Sequence, residues 1–187
     1  MRELSFVVDT VMGLVVGAFL LRLLLQWVRT DYRNPLVLAI SRLTNPIVLP
    51  LRRALPSIGR LDTASVVATL GAQFLRSALL LLFSGTGVPG LAALVLLASV
   101  DLIDTVLLLY LGAIFIFVLL SWLAPDGYSP IGRLLGDLTE PLIRPLRRSL
   151  PALGGLDLSP LVAILLLSVL RMVLNGRIAP LLLTLVG

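Results

Sequence analysis

Residues 44–56 read TNPIVLPLRRALP, and residues 139–151 read TEPLIRPLRRSLP, so the same motif returns 95 positions later, from 44 to 139. The same shift pairs further residues without a gap: Asp9 with Asp104, Trp27 with Trp122, Pro35 with Pro130, Asp62 with Asp157, and Arg76 with Arg171. A long gap-free match at one fixed shift is the signature of an internal repeat. The chain is therefore a tandem duplication, and its fold must be assigned repeat by repeat.

The composition of the chain indicates an integral membrane protein. Its 187 residues are 58% hydrophobic and only 13% charged, and its mean hydropathy is +1.08. Soluble domains are about 45–50% apolar and about 25% charged. A helix needs roughly 20 apolar residues to cross a bilayer, so four or five spans with their connectors occupy the whole length. The sequence predicts an all-α membrane protein without a separate soluble domain.

Each repeat is predicted to be a transmembrane helical hairpin, which consists of a span, a connector and a second span. The first repeat covers residues 1–88 with spans at about 5–28 and 63–84, and the second covers residues 89–187 with spans at about 101–123 and 159–175. The apolar stretch 89–99 is too short to cross a bilayer. We therefore expect it to be an interfacial or re-entrant helix rather than a fifth span, and residues 178–186 leave the same three alternatives open.

The distribution of arginine predicts the orientation of the repeats. The connectors carry most of the arginines, whereas the link between the repeats, residues 84–100, has no basic residue. By the positive-inside rule the connectors are cytoplasmic, and both termini lie outside. Because each repeat has an even number of spans, both repeats have the same orientation. This arrangement predicts two parallel repeats related by an axis along the membrane normal.

Both connectors combine prolines with arginines. Asn34 before Pro35 is a favourable helix cap followed by a favourable first position, whereas Pro50 and Pro145 are expected to break or kink a helix. Each connector is therefore predicted to form two short amphipathic helices at the cytoplasmic interface. The residues that define the connector motif are Asn34, Pro35, Thr44, Pro46, Pro50, Pro56 and Asp62, with Thr139, Pro141, Pro145, Pro151 and Asp157 in the second repeat.

Five connector arginines form a candidate binding patch: Arg52, Arg53, Arg144, Arg147 and Arg148. Guanidinium groups suit bidentate contacts with phosphate, so the expected partners are the phospholipid bilayer, its anionic headgroups and a membrane-protein partner. Two interpretations stay open. The arginines either fix topology and anchor the connectors, or they form a defined site for a headgroup or an acidic partner. Nucleic acid is not expected as a partner, because no aromatic residues interleave with the arginines.

Two ion pairs are expected inside the spans. At about 1.5 Å per residue, Asp9 lies about 27 Å above the cytoplasmic end of the first span and Arg76 about 21 Å above the start of the second. Asp104 and Arg171 repeat this arrangement. We predict direct pairs, Asp9 with Arg76 and Asp104 with Arg171, and the crossed pairing is the alternative. Such pairs either fix helix register or line a polar path.

Arg22 breaks the symmetry of the repeats, because it aligns with Phe117. It lies near the predicted cytoplasmic end of the first span. A long basic side chain in that position usually extends along the helix until its charge reaches the interface. We therefore expect Arg22 to snorkel.

The residue types present argue against an enzyme. The chain has no Cys and no His, and all 15 of its basic residues are Arg. These absences remove thiolates, imidazole bases and Schiff-base lysines, together with the usual soft-metal ligands. We expect no catalytic residue, no metal and no other cofactor.

The motif T-x-P-x-x-x-P-L-R-R-x-L-P followed by G-x-L-D-x-S-P is complete from Thr139 to Pro160. It is similar to the YggT (also YlmG) family of bacterial and plastid membrane proteins, and the resemblance covers nearly the whole chain. The first repeat departs from the D-x-S-P part after Asp62. The resemblance implies a multi-pass protein of the bacterial inner membrane. It also implies a link to osmotic-stress tolerance with potassium uptake, to envelope and division processes, or to assembly of a cytochrome cofactor in plastids. It supplies no catalytic residue.

Two function hypotheses follow. The first is a non-enzymatic accessory or scaffold protein of the inner membrane, as a monomer or a homodimer, in envelope homeostasis, osmotic-stress tolerance or membrane-complex assembly. The second is a small channel or transporter, or a regulator of potassium uptake. The paired intramembrane charges and the parallel duplication favour the second hypothesis, and the connectors favour the first.

Overall fold

A computed structural model of the chain describes residues 2–59, 61–84, 90–123, 129–149 and 157–186. Within these ranges every regular element is helical, which confirms the predicted all-α class. The helices are α1 (Arg2–Trp27), α2 (Pro35–Ala54), α3 (Thr63–Ser84), α4 (Leu91–Leu123), α5 (Pro130–Ser149), α6 (Ser159–Val173) and α7 (Ala179–Val186), and the turn Leu174–Ile178 joins α6 to α7.

Four helical stretches are long and apolar enough to cross a membrane. They are Glu3–Trp27, Thr63–Phe83, Leu91–Leu123 and Ser159–Leu182. The prediction of a multi-pass membrane protein is confirmed at this level by their length and composition. The four spans account for α1, α3, α4 and the path from α6 into α7, while α2 and α5 lie in the connectors.

The third span begins earlier than predicted. α4 is one continuous helix of 33 residues from Leu91, so the expectation of a separate short helix over 89–99 is wrong for the residues described. The segment from Leu91 to Val100 contains no Gly or Pro and consists mostly of good helix formers, and a nucleated helix propagates through such a sequence. At about 1.5 Å per residue the helix is roughly 50 Å long, which exceeds a hydrocarbon core of about 30 Å.

The fourth span continues beyond residue 175, where it was predicted to end. A π-helical turn, Leu174–Ile178, carries the helix from α6 into α7. Pro180 accounts for this turn, because proline has no N–H and its ring collides with the carbonyl four residues earlier. The turn is one residue wider, with the Ala179 N–H bonded to the Leu174 carbonyl, and such π turns occur inside helices that continue. Residues 179–186 therefore extend the span.

Each connector contains one 20-residue helix, so the prediction of two short helices per connector is wrong. α2 and α5 continue through their internal prolines, which are Pro46 and Pro50, and Pro141 and Pro145. An internal proline costs about 3 kcal/mol, so the two in each helix cost about 6 kcal/mol. Burial of a Val, Leu or Ile side chain returns roughly 1.5–3 kcal/mol, and each helix packs several of them: α2 buries Val37 and Val48 and partly buries Leu36, Ile40 and Leu51, and α5 buries Leu134, Leu135, Leu138 and Ile143. Packing of the apolar face therefore overrides the local preference for a break.

Equivalent clusters hold each connector against its spans. Phe19 of α1, Val48 of α2 and Ala68 of α3 form one cluster. Ile114 of α4, Ile143 of α5 and Ala163 of α6 form another. Every member of the second cluster lies 95 positions after its counterpart, from 19 to 114, from 48 to 143 and from 68 to 163. The sequence duplication is therefore also a duplication of packing contacts.

The two repeats meet where their connector helices begin. The Asn34 side chain accepts the Leu36 N–H at 3.0 Å and so caps α2, and its Nδ2 donates to the Pro130 carbonyl at 2.7 Å. Beside this contact, Leu25 of α1 packs in one cluster with Leu138 of α5. This junction fixes the start of α2 against the start of α5.

Candidate functional site

Charged side chains from the first two spans form one ion pair. Asp9 lies on α1 and Arg76 lies on α3, and both Nε and Nη2 of Arg76 donate to Oδ1 of Asp9, at 3.0 and 2.7 Å. Asp9 is near the start of α1 and Arg76 is in the second half of α3. The two helices are therefore antiparallel at this contact.

The equivalent pair in the second repeat has a more complete set of hydrogen bonds. Arg171 donates from Nε to Oδ1 of Asp104 at 2.7 Å and from Nη2 to Oδ2 at 3.0 Å. Asn175, in the π-helical turn, adds a bond from Nδ2 to Oδ1 at 2.6 Å. The structure thus joins the direct partners in both repeats. Sequence reasoning missed Asn175, because it placed the end of the span at that residue.

Asp101 is a further carboxylate in this region that sequence reasoning missed. It lies one turn before Asp104, and its Oδ2 accepts a hydrogen bond from Ser77 at 3.3 Å. In the described part of the chain no guanidinium group forms a salt bridge with it. The sequence feature that could have revealed Asp101 is its spacing of three residues from Asp104, which puts both carboxylates on one helix face. Because Asp101 aligns with Phe6, comparison of the repeats hid it.

These residues form what we call the intramembrane cluster: Asp9, Arg76, Ser77, Asp101, Asp104, Arg171 and Asn175. The cluster has three carboxylates and two guanidinium groups, so it carries one excess negative charge when all are ionised. No group of three or more Asp, Glu, His or Cys in the described ranges is arranged to hold a metal ion. The cluster can fix helix register, and at Asp101 it can accept a cation or a proton.

Gln73 extends this polar region along α3. Its side chain is almost completely buried, and its Nε2 donates to the Ser77 hydroxyl at 3.2 Å, whereas its Oε1 has no hydrogen-bond partner among the described residues. Gln73 also borders an apolar cavity of about 410 Å³ whose other walls include Phe74 and Ala98. A chain of polar contacts therefore runs from this cavity through Ser77 to Asp101.

A second Arg–Asp pair joins the connector of the first repeat to the span that follows. Arg52 donates from Nε to Oδ1 of Asp62 at 3.3 Å and from Nη2 to Oδ2, which also accepts the Ser65 hydroxyl at 2.6 Å. Burial, the largest influence, raises the pKa of the Asp62 carboxyl. The hydrogen bonds from Arg52 and Ser65 and the nearby guanidinium charges together hold that pKa below its usual value.

The second repeat contains the equivalent pair of Arg147 and Asp157. The Arg147 Nε donates to Oδ2 of Asp157 at 2.8 Å, and the backbone N–H of Ser159 donates to Oδ1 at 3.0 Å. Arg147 also lies 3.9 Å from Glu140. Burial raises the pKa of the Asp157 carboxyl, but its hydrogen bonds to Ser159 and Arg147 hold the pKa below its usual value.

The predicted arginine patch is therefore divided. Arg52 and Arg147 are held in intramolecular ion pairs, whereas Arg53, Arg144 and Arg148 have exposed side chains on the connector helices. The remaining motif residues have local roles. The Pro56 carbonyl accepts the Thr63 hydroxyl at 2.9 Å, and the Thr139 hydroxyl donates to the Leu135 carbonyl at 2.8 Å. Pro151 lies outside the described residues.

Arg22 does not snorkel, contrary to the expectation from sequence. Its Nη1 donates to the Thr44 hydroxyl at 2.6 Å, to Oδ1 of Asn45 at 2.8 Å and to the Ser41 carbonyl at 3.2 Å. The residue is only 8% exposed. These acceptors on α2 hold the guanidinium inside the protein, because a buried charge must find polar partners.

The sequence model of the CCB3/YggT family matches residues 1–83 and 96–178 of the chain, two segments that begin 95 positions apart, from 1 to 96. Among its relatives, an uncharacterized protein of Pseudomonas aeruginosa is 38% identical over 93% of this chain and 89% of its own length. The uncharacterized protein YggT of Escherichia coli is 36% identical over 92% of this chain and 89% of its own length. An uncharacterized protein of Vibrio alginolyticus is 35% identical over 96% and 97%. No solved structure matches the chain.

Proposed function

Because this chain belongs to the CCB3/YggT family, we propose that it is a non-enzymatic accessory or scaffold protein of the bacterial inner membrane. In this proposal its two repeats cross the membrane in the same orientation, with the connectors in the cytoplasm and the termini outside. It serves envelope homeostasis, osmotic-stress tolerance or the assembly of a membrane complex. Its relatives are described as uncharacterized, so the proposal is argued from the chain itself.

The observation that carries the proposal is the attachment of both connector helices to the spans. α2 is held by Arg22 and by the Arg52–Asp62 pair, and α5 is held by the Arg147–Asp157 pair. The junction between Asn34 and Pro130 then joins the two connectors to each other. A connector that served only as a linker would need none of these contacts. A surface fixed in this way is suited to recognition, because little order is lost when it binds.

The exposed arginines determine which partners this surface favours. Arg53 and Arg148 occupy equivalent positions of the two repeats, from 53 to 148, and both are exposed. Arg144 adds a third exposed guanidinium on α5. Guanidinium groups bind phosphate and carboxylate in the same bidentate manner. The surface therefore suits anionic headgroups and an acidic face of a membrane-protein partner.

Affinity purification from membranes tests this proposal. The tagged protein is compared with the double variant Arg53→Gln/Arg148→Gln and with the control Arg33→Gln/Arg133→Gln, which removes the same charge near the starts of the connector helices. We expect a specific envelope protein to co-purify with the wild type and with the control. Its recovered amount should fall at least tenfold with the double variant. Equal recovery from all three, or no specific partner, would contradict the scaffold role.

One observation favours a second candidate, a pathway for a monovalent cation or a regulator of potassium uptake. Asp101 has no guanidinium partner among the described residues and lies in the cluster formed by side chains of all four spans. Ionisable groups inside a membrane usually face a partner or a polar cavity. Asp101 is therefore the residue on which a cation would depend.

Potassium flux into proteoliposomes distinguishes the two candidates. The variant Asp101→Asn removes the carboxylate that has no guanidinium partner among the described residues and leaves both ion pairs intact. Glu140→Gln is the control, because it removes an exposed carboxylate on α5. Flux above that of empty liposomes that Asp101→Asn abolishes and Glu140→Gln retains would establish the pathway. Absence of flux from folded protein would contradict a cation pathway through this chain.

A further inference from the structure

A polar cavity of about 210 Å³ lies between the C-terminal half of α1 and α2. Its polar lining consists of Arg22, Gln26, Tyr32, Ser41, Arg52 and Ser57. We propose that this cavity is a binding site for a phosphate group, with Arg22 and Arg52 as its two cationic contacts. The proposal does not depend on the scaffold role, because it rests only on the chemistry of this cavity.

The first argument is the state of the Arg22 guanidinium. Its hydrogen bonds to the described residues all come from Nη1, and their acceptors are the neutral oxygens of Thr44, Asn45 and Ser41. No carboxylate in the described ranges forms a salt bridge with Arg22. A guanidinium has five N–H donors, and those on Nε and Nη2 remain for another acceptor. A buried charge whose direct partners are all neutral is only partly compensated, so an anion beside Arg22 would stabilise it.

The second argument is the position of Arg52. Its Nε and Nη2 are held by Asp62, which fixes the orientation of the guanidinium and leaves Nη1 without an acceptor among the described residues. Arg22 and Arg52 line one cavity. Among the described residues, the single negative charge of the Asp62 carboxylate balances their two positive charges only in part. That carboxylate also accepts the Ser65 hydroxyl. The cavity is therefore net positive, and the guanidinium pair suits an oxyanion that accepts several hydrogen bonds.

The third argument is the size and the neutral lining of the cavity. Cavities for drug-sized ligands measure about 300–1,000 Å³, so a volume of 210 Å³ suits a smaller group such as a phosphate. The hydroxyls of Tyr32 and Ser57 and the amide of Gln26 can donate to phosphate oxygens that the arginines leave free. The group can belong to a phospholipid headgroup whose acyl chains stay outside the cavity, or it can be free phosphate.

In the sequence, the two cationic contacts of this site occur together only in the first repeat. Arg22 and Tyr32 align with Phe117 and Gly127, which carry no charge and offer no side-chain donor. The second repeat thus keeps the Arg–Asp pair of the connector but lacks the second cation. A stoichiometry of one phosphate group per chain follows.

Thermal unfolding of the purified full chain in dodecyl maltoside tests the site. The unfolding midpoint, followed by tryptophan fluorescence, is titrated with dioleoyl phosphatidylglycerol, with dioleoyl phosphatidylcholine and with inorganic phosphate. We expect a saturable rise in the midpoint. Arg22→Gln should weaken the apparent affinity at least tenfold. The control Arg42→Gln removes the same charge from another exposed position of α2 and should change the apparent affinity less than twofold.

A second variant tests the site independently if Arg22→Gln does not fold. Ser57→Asp places a negative charge at an exposed position in the lining and should also weaken binding at least tenfold. Saturation by phosphatidylglycerol alone would identify a lipid headgroup, and saturation by inorganic phosphate as well would identify free phosphate. Either result supports the site. No saturable rise of the midpoint with any probe, or equal losses of affinity for Arg42→Gln and Ser57→Asp, would overturn the proposal.

Discussion

The Arg–Asp pair that joins a connector helix to the following span occurs twice, and its two copies differ in burial. The Asp62 side chain is 0% exposed, whereas that of Asp157 is 38% exposed. In the first repeat a short turn precedes the aspartate, closed by mutual backbone hydrogen bonds between Ile58 and Leu61 at 3.1 and 3.0 Å. Gly59 provides the left-handed residue of this turn, with φ of 60°.

This difference shows that a repeated motif preserves chemistry without preserving its energetic importance. An exposed ion pair contributes about 0–1 kcal/mol, because water screens it and solvates each partner well. Removal of one partner from a buried pair typically costs about 3–5 kcal/mol, because it leaves a polar group without compensation. The Asp62 pair should therefore stabilise the fold, while the Asp157 pair should mainly orient the start of α6.

The largest predicted effect is the loss of the Asp62 carboxylate. Asp62→Asn should lower the free energy of unfolding by about 2–3 kcal/mol, because the new amide presents a donor to Arg52, whose partial exposure softens the loss. Asp157→Asn should lower it by less than about 1 kcal/mol. Denaturant unfolding in detergent micelles measures both. Equal losses from the two variants would show that burial does not set the difference.

The pH dependence of unfolding should show the same contrast. The folded state holds the pKa of Asp62 below its usual value. The stabilisation by Asp62 is therefore present above the unfolded pKa of about 4 and is lost as the pH falls through the lower folded pKa. Comparison of the wild type with Asp62→Asn at pH 7 and pH 3 measures this change. The difference in unfolding free energy between the two proteins should be smaller at pH 3 than at pH 7. An equal difference at both pH values would contradict a lowered folded pKa for Asp62.

The two intramembrane pairs should differ less than the connector pairs. Asp104 accepts three hydrogen bonds, including one from Asn175, whereas Asp9 accepts two bonds at a single oxygen. Hydrogen bonds between spans are worth about 0.6 kcal/mol on average, with a maximum of about 1.7. A double-mutant cycle with Asp104→Asn and Arg171→Leu should therefore give a coupling of about 1–1.5 kcal/mol.

The matched cycle with Asp9→Asn and Arg76→Leu provides the comparison. Its coupling should be smaller, at about 0.5–1 kcal/mol, since no side-chain amide among the described residues donates to the Asp9 carboxylate. Both cycles are measured by unfolding in the same micelles. Additive single-variant losses in the second repeat would mean that Asp104 and Arg171 do not interact in solution.

The sequence predicted those features that depend on composition and on the repeat. The four apolar spans were predictable because crossing a bilayer demands length and hydropathy, and the helical class followed because backbone groups in lipid must bond internally. The family resemblance, now shown by the match over both segments, was predictable from the connector motif. Each of these features follows from local sequence alone.

The features that were not predictable depend on tertiary contacts. Pro50 and Pro145 lie inside continuous helices because buried apolar faces outweigh their local cost, and no local pattern reports that burial. The burial of Arg22 was not predictable from its own span, because its three acceptors lie on α2, a separate element. Asp101 was missed because repeat alignment highlights what both halves share, whereas the excess charge of the cluster arises from a residue that only one half has.

The smallest predicted effect concerns another position at which the repeats differ. Asp137 on α5 aligns with Arg42. Partial desolvation of this exposed side chain by its neighbours and, to a lesser extent, the nearby charge of Asp31 raise the pKa of its carboxyl. A carboxyl whose folded pKa lies above its unfolded pKa destabilises the fold as the pH rises through that interval and it ionises. Asp137→Asn should therefore raise the free energy of unfolding at pH 7, by less than about 0.5 kcal/mol because the side chain is exposed.

The same comparison at pH 3 provides the control for Asp137. Both forms of the protein are then uncharged at this position, so the difference in unfolding midpoint between Asp137→Asn and the wild type should vanish. Asp31→Asn removes the neighbouring charge, so at pH 7 it should give part of the stabilisation that Asp137→Asn gives. A lower midpoint for Asp137→Asn at pH 7 would instead assign the carboxylate a stabilising partner. The junction between the connectors would then be held by charge as well as by the Asn34 hydrogen bond.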